Sequence, residues 1–186
     1  MTFDLSLALR RLRPQRVTSQ LHRRRDADLP FVAGPATPGP ELMLDTCVYI
    51  DVLQGRSPPE VSELLEQRIV NHSTISLSEL THLFGRLDPS HPKTSATLRE
   101  LRGVIDEIPP HRLSAPSVRA AGEAGMLAGL AVRAAGRDAG VALLNDTLLA
   151  RHAHELGCAL LTRNLADFDI LQQLMPQAQV IFYHRV

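Results

Sequence analysis

Five residues with oxygen-bearing side chains stand where predicted strands end or predicted helices begin: Asp45, Glu79, Asp146, Asn164 and Asp167. In an open parallel sheet, the carboxyl ends of the strands and the amino ends of the following helices share one edge, where ligands bind. The positions therefore predict that these side chains meet, although they are far apart in the sequence. Carboxylates that meet repel one another and take up protons unless a cation removes the repulsion.

A divalent metal ion is the cation that such a group of oxygens suits. Carboxylate ligands favour Mg²⁺ or Mn²⁺ over softer metals. Two such ions, about 3.5–4 Å apart, can activate a water molecule and stabilise the leaving oxygen in phosphodiester hydrolysis. The sequence contains no His/Cys set with zinc spacing, and neither a GxxxxGK[ST] nor a GxGxxG motif. The residues therefore favour metal-assisted hydrolysis over a zinc site or a nucleotide-binding loop.

Each of the five residues also has a purely structural interpretation. Asp45 and Asp146 fit helix caps, which is the commoner role of Asp at a helix start. Glu79 fits an acidic first turn that complements the helix dipole. The shared position of the set favours a site for these three residues. For Asn164 and Asp167, a cap with its first-turn residue explains the sequence as well as a site does.

The elements that must bring these residues together are short apolar runs that alternate with helical periodicity after residue 40. This alternation predicts βαβ units, a parallel sheet of four or five short strands and a three-layer α/β/α fold. The predicted strands cover residues 42–44, 73–76, 111–113, 158–161 and 180–183. Helix signals place Asp146 at the start of a helix that ends at Gly157, and Glu79 in the first turn of a helix capped by Ser76 or Ser78.

The composition is that of a globular protein with one ordinary domain and an appendage. Of the 186 residues, 44% are apolar and 22% are charged. Two cysteines are too few for a disulfide framework, and both adjoin apolar runs, which predicts buried thiols. No run reaches the roughly 18 apolar residues that a membrane span needs, and no secretory signal is present. These absences predict no membrane association and a cytoplasmic protein.

The net charge is zero, but residues 1–40 carry +4 and residues 41–186 carry −4. We predict a domain boundary near Glu41, with 1–40 forming a basic, flexible extension and a linker rich in Pro and Gly. The extension has three interpretations: a disordered leader or over-long translation start, an arm for a nucleic acid or partner, and a transit peptide. The acidic remainder suits a cation site better than a phosphate-binding groove.

Four segments around the candidate residues form an ordered set: LMLDTCVYI at 42–50, SEL at 78–80, NDTLLA at 145–150 and LTRNLADF at 161–168. In this order, and with a closing strand after them, they resemble the four motifs of PIN-domain ribonucleases, specifically the VapC toxins of type II toxin–antitoxin systems. The resemblance covers residues 41–186. It implies a PIN-like fold for that part of the chain.

The resemblance also implies a function: an Mg²⁺- or Mn²⁺-dependent endoribonuclease that forms a homodimer and is neutralised by a VapB-type antitoxin. Asp45, Glu79 and Asp146 match the three acidic positions that bind metal in that family. The fourth family position is commonly Asp but often Asn, and it falls here on Asn164, which lacks the charge. Asp167 is the candidate to act in its place, directly or through water, so the number of metal ions stays open.

Three neighbouring residues complete the predicted site. Thr46 and Thr162 are positioned to hydrogen-bond the carboxylates, and Arg163 to hold a phosphate. The structural alternatives are ordinary strand-end residues and an exposed arginine. Asp51 and Asp169 are expected to be solvated.

Two other functions fit the same residues. One is a non-catalytic binding module with a degraded site, which the neutral Asn164 favours. The other is a metal-dependent phosphatase or DNA nuclease on a similar scaffold.

Overall fold

Five short parallel strands form the sheet of this protein, which a computed structural model describes for residues 2–32, 38–138 and 140–186. The strands are β1 (Leu42–Leu44), β2 (Val70–Ser73), β3 (Leu113–Ser114), β4 (Ala159–Thr162) and β5 (Gln179–Phe182). Their order across the sheet is β3-β2-β1-β4-β5, and each neighbouring pair is parallel. The predicted α/β class with a central parallel sheet is therefore confirmed.

Eight α-helices are described around the sheet. They are α1 (Leu5–Leu12), α2 (Thr46–Leu53), α3 (Pro59–Gln67), α4 (Thr74–Arg86), α5 (Thr94–Asp106), α6 (Val118–Ala135), α7 (Val141–Leu156) and α8 (Leu165–Leu174). Among the described residues, no helix has the length and apolar composition that crossing a membrane requires.

The three layers follow from the alternation of side chains along β1 and β4. Leu42 and Leu44 pack in one apolar cluster with residues of α2 to α5. Met43, between them, packs in a second cluster with residues of α6, α7 and α8. Successive strand residues point to opposite faces, so a strand with helices on both sides is apolar throughout. This explains why β1 and β4 read as unbroken apolar runs.

Two helices begin earlier than the sequence signals predict. Ser73 ends β2 and caps α4, its hydroxyl accepting from the Ile75 amide at 3.2 Å, so the run 73–76 is mainly helical. Helix α7 begins at Val141 after Gly140, and not at Asp146. The predicted cap role of Asp146 is therefore wrong, as is the first-turn position of Glu79. Each is the sixth residue of its helix, one turn further from the sheet edge.

The N-terminal extension, predicted to be flexible, is placed against the domain in this structure. Helix α1 lies on α6, and the Leu21 amide donates to the Ala134 carbonyl at 2.7 Å. Phe31 forms a parallel bridge with Phe182 of β5. The predicted linker residues Gly34 and Pro35 lie outside the described residues. The boundary near Glu41 stays a prediction.

Candidate active site

The ends of β1 and β4 lie side by side because Leu44 pairs with Leu161 in register. The next residues, Asp45 and Thr162, therefore emerge together. The Thr162 hydroxyl donates to Asp45 Oδ2 at 2.5 Å, and the Cys47 thiol donates to the same oxygen at 2.9 Å. Asp45 stands at the N-cap position of α2 but makes no side-chain cap bond. Its carboxylate, 6% exposed, is thus held by neutral donors at the sheet edge.

Glu79 is held at the same edge by two neutral donors. The Thr46 hydroxyl donates to Glu79 Oε2 at 2.5 Å, and the Asn145 side-chain amide donates to Oε1 at 2.8 Å. Since α4 and α7 carry Glu79 and Asn145, this contact ties the two helices together across the edge. The sequence did not indicate Asn145 as a partner of Glu79, because Asn145 adjoins the candidate ligand Asp146 and gives no signal of its own.

Asn164 links the remaining two carboxylates. Its side-chain amide donates to Asp146 Oδ2 at 3.1 Å and to Asp167 Oδ2 at 3.0 Å. Its carbonyl oxygen accepts from the Asp167 backbone amide at 3.3 Å, which caps α8. The cap and the site are therefore compatible roles of one side chain, and a neutral amide stands where a fifth carboxylate would add repulsion.

Electrostatics show that the carboxylates act on one another. The pKa of Asp146 is raised to about 9, first by burial and then by the charges of Asp45, Asp167 and Glu79, while Arg137 lowers it. The pKa of Asp45 is also raised, chiefly by burial and partly by the Glu79 charge. Negative charge at this edge is therefore incompletely compensated by the protein.

A divalent cation fits the donor set by its chemistry. The side chains offer oxygen ligands, and the raised pKa of Asp146 reports charge that a cation would neutralise. Within the described ranges, however, no three His, Cys, Asp or Glu side chains are arranged to hold a metal ion. The carboxylates instead accept hydrogen bonds from the neutral donors around them.

Arg163, predicted to hold a phosphate, is paired with a buried carboxylate. Its Nε lies 2.6 Å from Asp51 Oδ2, and the Tyr183 hydroxyl donates to the same oxygen at 2.8 Å. Asp51 is 1% exposed, so its expected solvation is wrong. The sequence contained one signal for this burial: Asp51 comes three residues after Val48, on the apolar face of α2.

Asp169 is a second buried carboxylate that was expected to be solvated. It is 0% exposed, and Arg24 donates to it through both the backbone amide (2.7 Å) and Nε (2.6 Å). Its neighbours Phe168 and Ile170 are buried as well. An acidic residue between two core residues is the sequence signal that indicates such a pair.

Arg137 is a second residue at the edge that sequence reasoning did not single out. It follows Gly136, the left-handed residue (φ 60°) at the end of α6. Its Nε donates to Asp167 Oδ1 at 2.7 Å, and a second guanidinium nitrogen lies 2.5 Å from the same oxygen. A positive charge thus reaches the acidic edge from a connection between helices.

No protein-family model and no curated protein matches this sequence. Solved structures match it in fold. One is a chain of VapBC2 from Rickettsia felis, solved with a DNA fragment from the VapBC2 promoter. It is 18% identical with a TM-score of 0.56, and the match covers 77% of this chain and 98% of that chain. DNA-bound VapBC from Salmonella typhimurium is 23% identical with a TM-score of 0.53, and the match covers 76% of this chain and 97% of that chain.

FitAcB from Neisseria gonorrhoeae matches as well, at 19% identity and a TM-score of 0.55, over 76% of this chain and 96% of that chain. At these identities the likeness shows the fold. The α/β/α layers around an all-parallel five-stranded sheet match the PIN-like fold of the VapC neighbours.

Proposed function

We propose that this chain is a metal-dependent endoribonuclease that cleaves RNA phosphodiester bonds as the toxin of a toxin–antitoxin pair. The observation that carries the proposal is the convergence of four carboxylates at one sheet edge, where neutral side chains link them by hydrogen bonds: Asp45, Glu79, Asp146 and Asp167. Their mutual effect on the pKa of Asp146 agrees with this. The four ordered motifs and the fold shared with chains of VapBC and FitAB complexes support it.

The proposed metal ligands are Asp45, Glu79 and Asp146, with Asp167 bound directly or through water. Mg²⁺ or Mn²⁺, when bound, supplies positive charge for the phosphate and makes a water molecule more acidic. The chain's own residues set the positions of the carboxylates. Thr162 and Cys47 orient Asp45, and the neutral donors described above orient the others.

The hydrogen bonds at Asp45 also determine its protonation. Burial raises the pKa of Asp45, whereas the bonds from Cys47 and Thr162 lower it. Burial and the nearby Asp45 charge raise the pKa of the Cys47 thiol well above its ordinary value. The thiol therefore stays protonated and remains a donor, which favours the carboxylate form of Asp45 that a cation requires.

The proposed partners are an RNA substrate, a VapB-type antitoxin and a second copy of the chain, in the cytoplasm. The solved structures described above are VapBC and FitAcB, which supports an antitoxin partner. Co-expression with the product of a small neighbouring gene, followed by co-purification, tests this partner. A chain that does not inhibit growth when expressed alone contradicts the toxin role. Growth inhibition that such a product leaves unaffected contradicts the antitoxin partner.

Cleavage of single-stranded RNA by purified protein tests the activity. We expect Asp45→Asn and Asp146→Asn each to lower cleavage in Mg²⁺ or Mn²⁺ by more than about 100-fold, because each removes a charge that holds the ion. Asp106→Asn, an exposed acid on α5, is the matched control and should keep full activity. Undiminished metal-dependent cleavage by either edge variant contradicts the proposal.

A non-catalytic binding module is the second candidate, favoured by the neutral Asn164 and by the absence of a closed ligand set among the described residues. Calorimetric titration with Mn²⁺, together with the cleavage assay, separates the two. Metal binding without cleavage of RNA, single-stranded DNA or a phosphomonoester supports the module. Preferential cleavage of the DNA or the phosphomonoester assigns a different hydrolase on the same scaffold.

A further inference from the structure

Two arginines lie beside the acidic edge, and each pairs with a carboxylate. They differ in how much that carboxylate would be destabilised if the arginine turned to bind a ligand. Arg163 is paired with Asp51, which is 1% exposed. If Arg163 turned towards a substrate, a buried carboxylate would remain with the Tyr183 hydroxyl as its partner. Leaving a buried charge without its counter-ion is strongly destabilising. Arg163 is therefore committed to the fold.

Arg137 is attached in a way that permits exchange. Its partner Asp167 is half-buried, with a side chain 21% exposed, and the Arg137 side chain is itself 33% exposed. Partly exposed ion pairs are weak because water screens both charges. The Asp167 carboxylate also keeps a second donor, the Asn164 amide at 3.0 Å, if the arginine leaves.

RNA approaching this edge meets four carboxylates, so it needs a cationic contact from the protein. We propose that Arg137, and not Arg163, binds the RNA phosphate at this edge, an inference that rests on the proposed function. Its Nε and a second nitrogen already converge on one carboxylate oxygen, the arrangement in which a guanidinium also binds a phosphate oxygen. A phosphate oxygen replaces Asp167 Oδ1 as the acceptor.

The electrostatic setting agrees with this assignment. The Arg137 charge acts on Asp146 as well as on Asp167, which places it within reach of the central carboxylates. Arg137 lies between α6 and α7, and its side chain is 33% exposed, so the guanidinium is accessible to a polyanion from solvent. A contact of this kind orients the substrate and raises affinity without carrying sequence information.

Binding of a fluorescent single-stranded RNA oligonucleotide, measured by anisotropy at several salt concentrations, tests the inference. The measurements use the cleavage-deficient Asp45→Asn chain in Mg²⁺, alone and combined with Arg137→Gln, Arg137→Lys, Arg163→Gln or Arg102→Gln. Arg102, paired with Asp106 on the exposed face of α5, is the matched control for breaking an Arg–Asp pair.

We expect Arg137→Gln to weaken binding about tenfold and to lower the salt slope by about 0.7, the value for one phosphate contact on a single strand. Arg137→Lys should restore the slope, because it keeps the charge, but only part of the affinity. Arg163→Gln should lower the melting temperature and leave the slope unchanged, and Arg102→Gln should change neither.

An unchanged slope in Arg137→Gln, or a lowered slope in Arg163→Gln instead, overturns the inference and leaves the nuclease proposal standing. A merely structural role for Arg137 would lower stability without moving the salt slope. If the Asp45→Asn chain and the unmutated chain neither bind nor cleave the RNA, the proposed function fails first.

Discussion

Two kinds of buried carboxylate coexist in this protein, and they are compensated differently. Asp169 and Asp45 are 0% and 6% exposed, so burial alone does not separate them. Asp169 accepts two bonds from Arg24, whereas Asp45 accepts from a hydroxyl and a thiol. Asp51 and Glu123 resemble Asp169, since each pairs with an arginine.

The difference indicates what each set is for. An acid paired with arginine has its charge balanced inside the protein and adds to the fold. An acid held only by neutral donors keeps its orientation but leaves its charge for a ligand. Asp167 lies between the two classes, because Arg137 pairs with it at a half-exposed position.

The largest effect on stability should come from breaking a balanced pair. Arg24→Gln removes the charged partner of Asp169 and should lower the free energy of unfolding by about 2–3 kcal/mol, since the backbone amide and Gln173 still donate. Thermal unfolding should show a drop of roughly 5–10 °C. The adjacent Arg25→Gln breaks an exposed pair with Asp28 and is the control. Equal stability of the two variants would remove the distinction between the classes.

The next largest effect should come from adding a cation to the uncompensated set. At about 100 times its dissociation constant, Mn²⁺ or Mg²⁺ should stabilise the unmutated chain by about 2.7 kcal/mol. Asp146→Asn should lose most of this gain, whereas Asp106→Asn should keep it. Thermal shift titrations measure both. A gain of equal size in Asp146→Asn places the cation elsewhere.

Without metal, the same substitution, Asp146→Asn, should raise the free energy of unfolding. The pKa of Asp146 rises from 3.8 when unfolded to about 9 when folded, so the folded state binds the extra proton between these values. Stability therefore falls as pH rises through this window. In EDTA, Asp146→Asn should be more stable than the unmutated chain by about 1–2 kcal/mol at pH 8, with a smaller difference at pH 5. A variant that is less stable at pH 8 contradicts the uncompensated charge.

The smallest effect should follow from restoring a carboxylate at the fourth position. Asn164→Asp keeps an acceptor that can cap α8 but loses the amide that bridges Asp146 and Asp167. In EDTA it should lower stability by about 1 kcal/mol, because it adds a like charge. Mn²⁺ affinity should increase about fivefold, equivalent to the same free energy. Calorimetry that shows weaker Mn²⁺ binding by this variant would mean that the amide bridge, and not the charge, organises the edge.

The sequence predicts the sheet well where the signal is continuous. β1 and β4 are short apolar runs buried on both faces, and the residues that follow them reach a common edge by topology alone. The helix starts were less predictable. Ser73 sits in a stretch with several cap-forming residues, so local signals could not choose among them. Helix α7 begins after Gly140 without a side-chain cap, so the cap-forming residues at 145–147 indicated a later start.

The partners of the buried acids depend on contacts that no local pattern contains. Arg24 and Asp169 are 145 residues apart, and the extension that carries Arg24 read as a basic tail. The orientation of Arg163 was missed for a similar reason, because its partner Asp51 read as solvated. Electrostatic pairing of this kind is a tertiary property, whereas helix periodicity and strand runs are local ones.

The bridge between Phe31 and Phe182 has a consequence for assembly. The Val32 amide donates to the Phe182 carbonyl at 2.8 Å, and the Phe182 amide donates to the Pro30 carbonyl at 2.9 Å. The outer side of β5 is thereby occupied at Phe182, its last residue, and the opposite border of the sheet is β3, which is two residues long. A partner that joins by adding a strand would meet the extension at the end of β5 and would find only two strand residues at β3. Association with this protein should therefore proceed through helix surfaces.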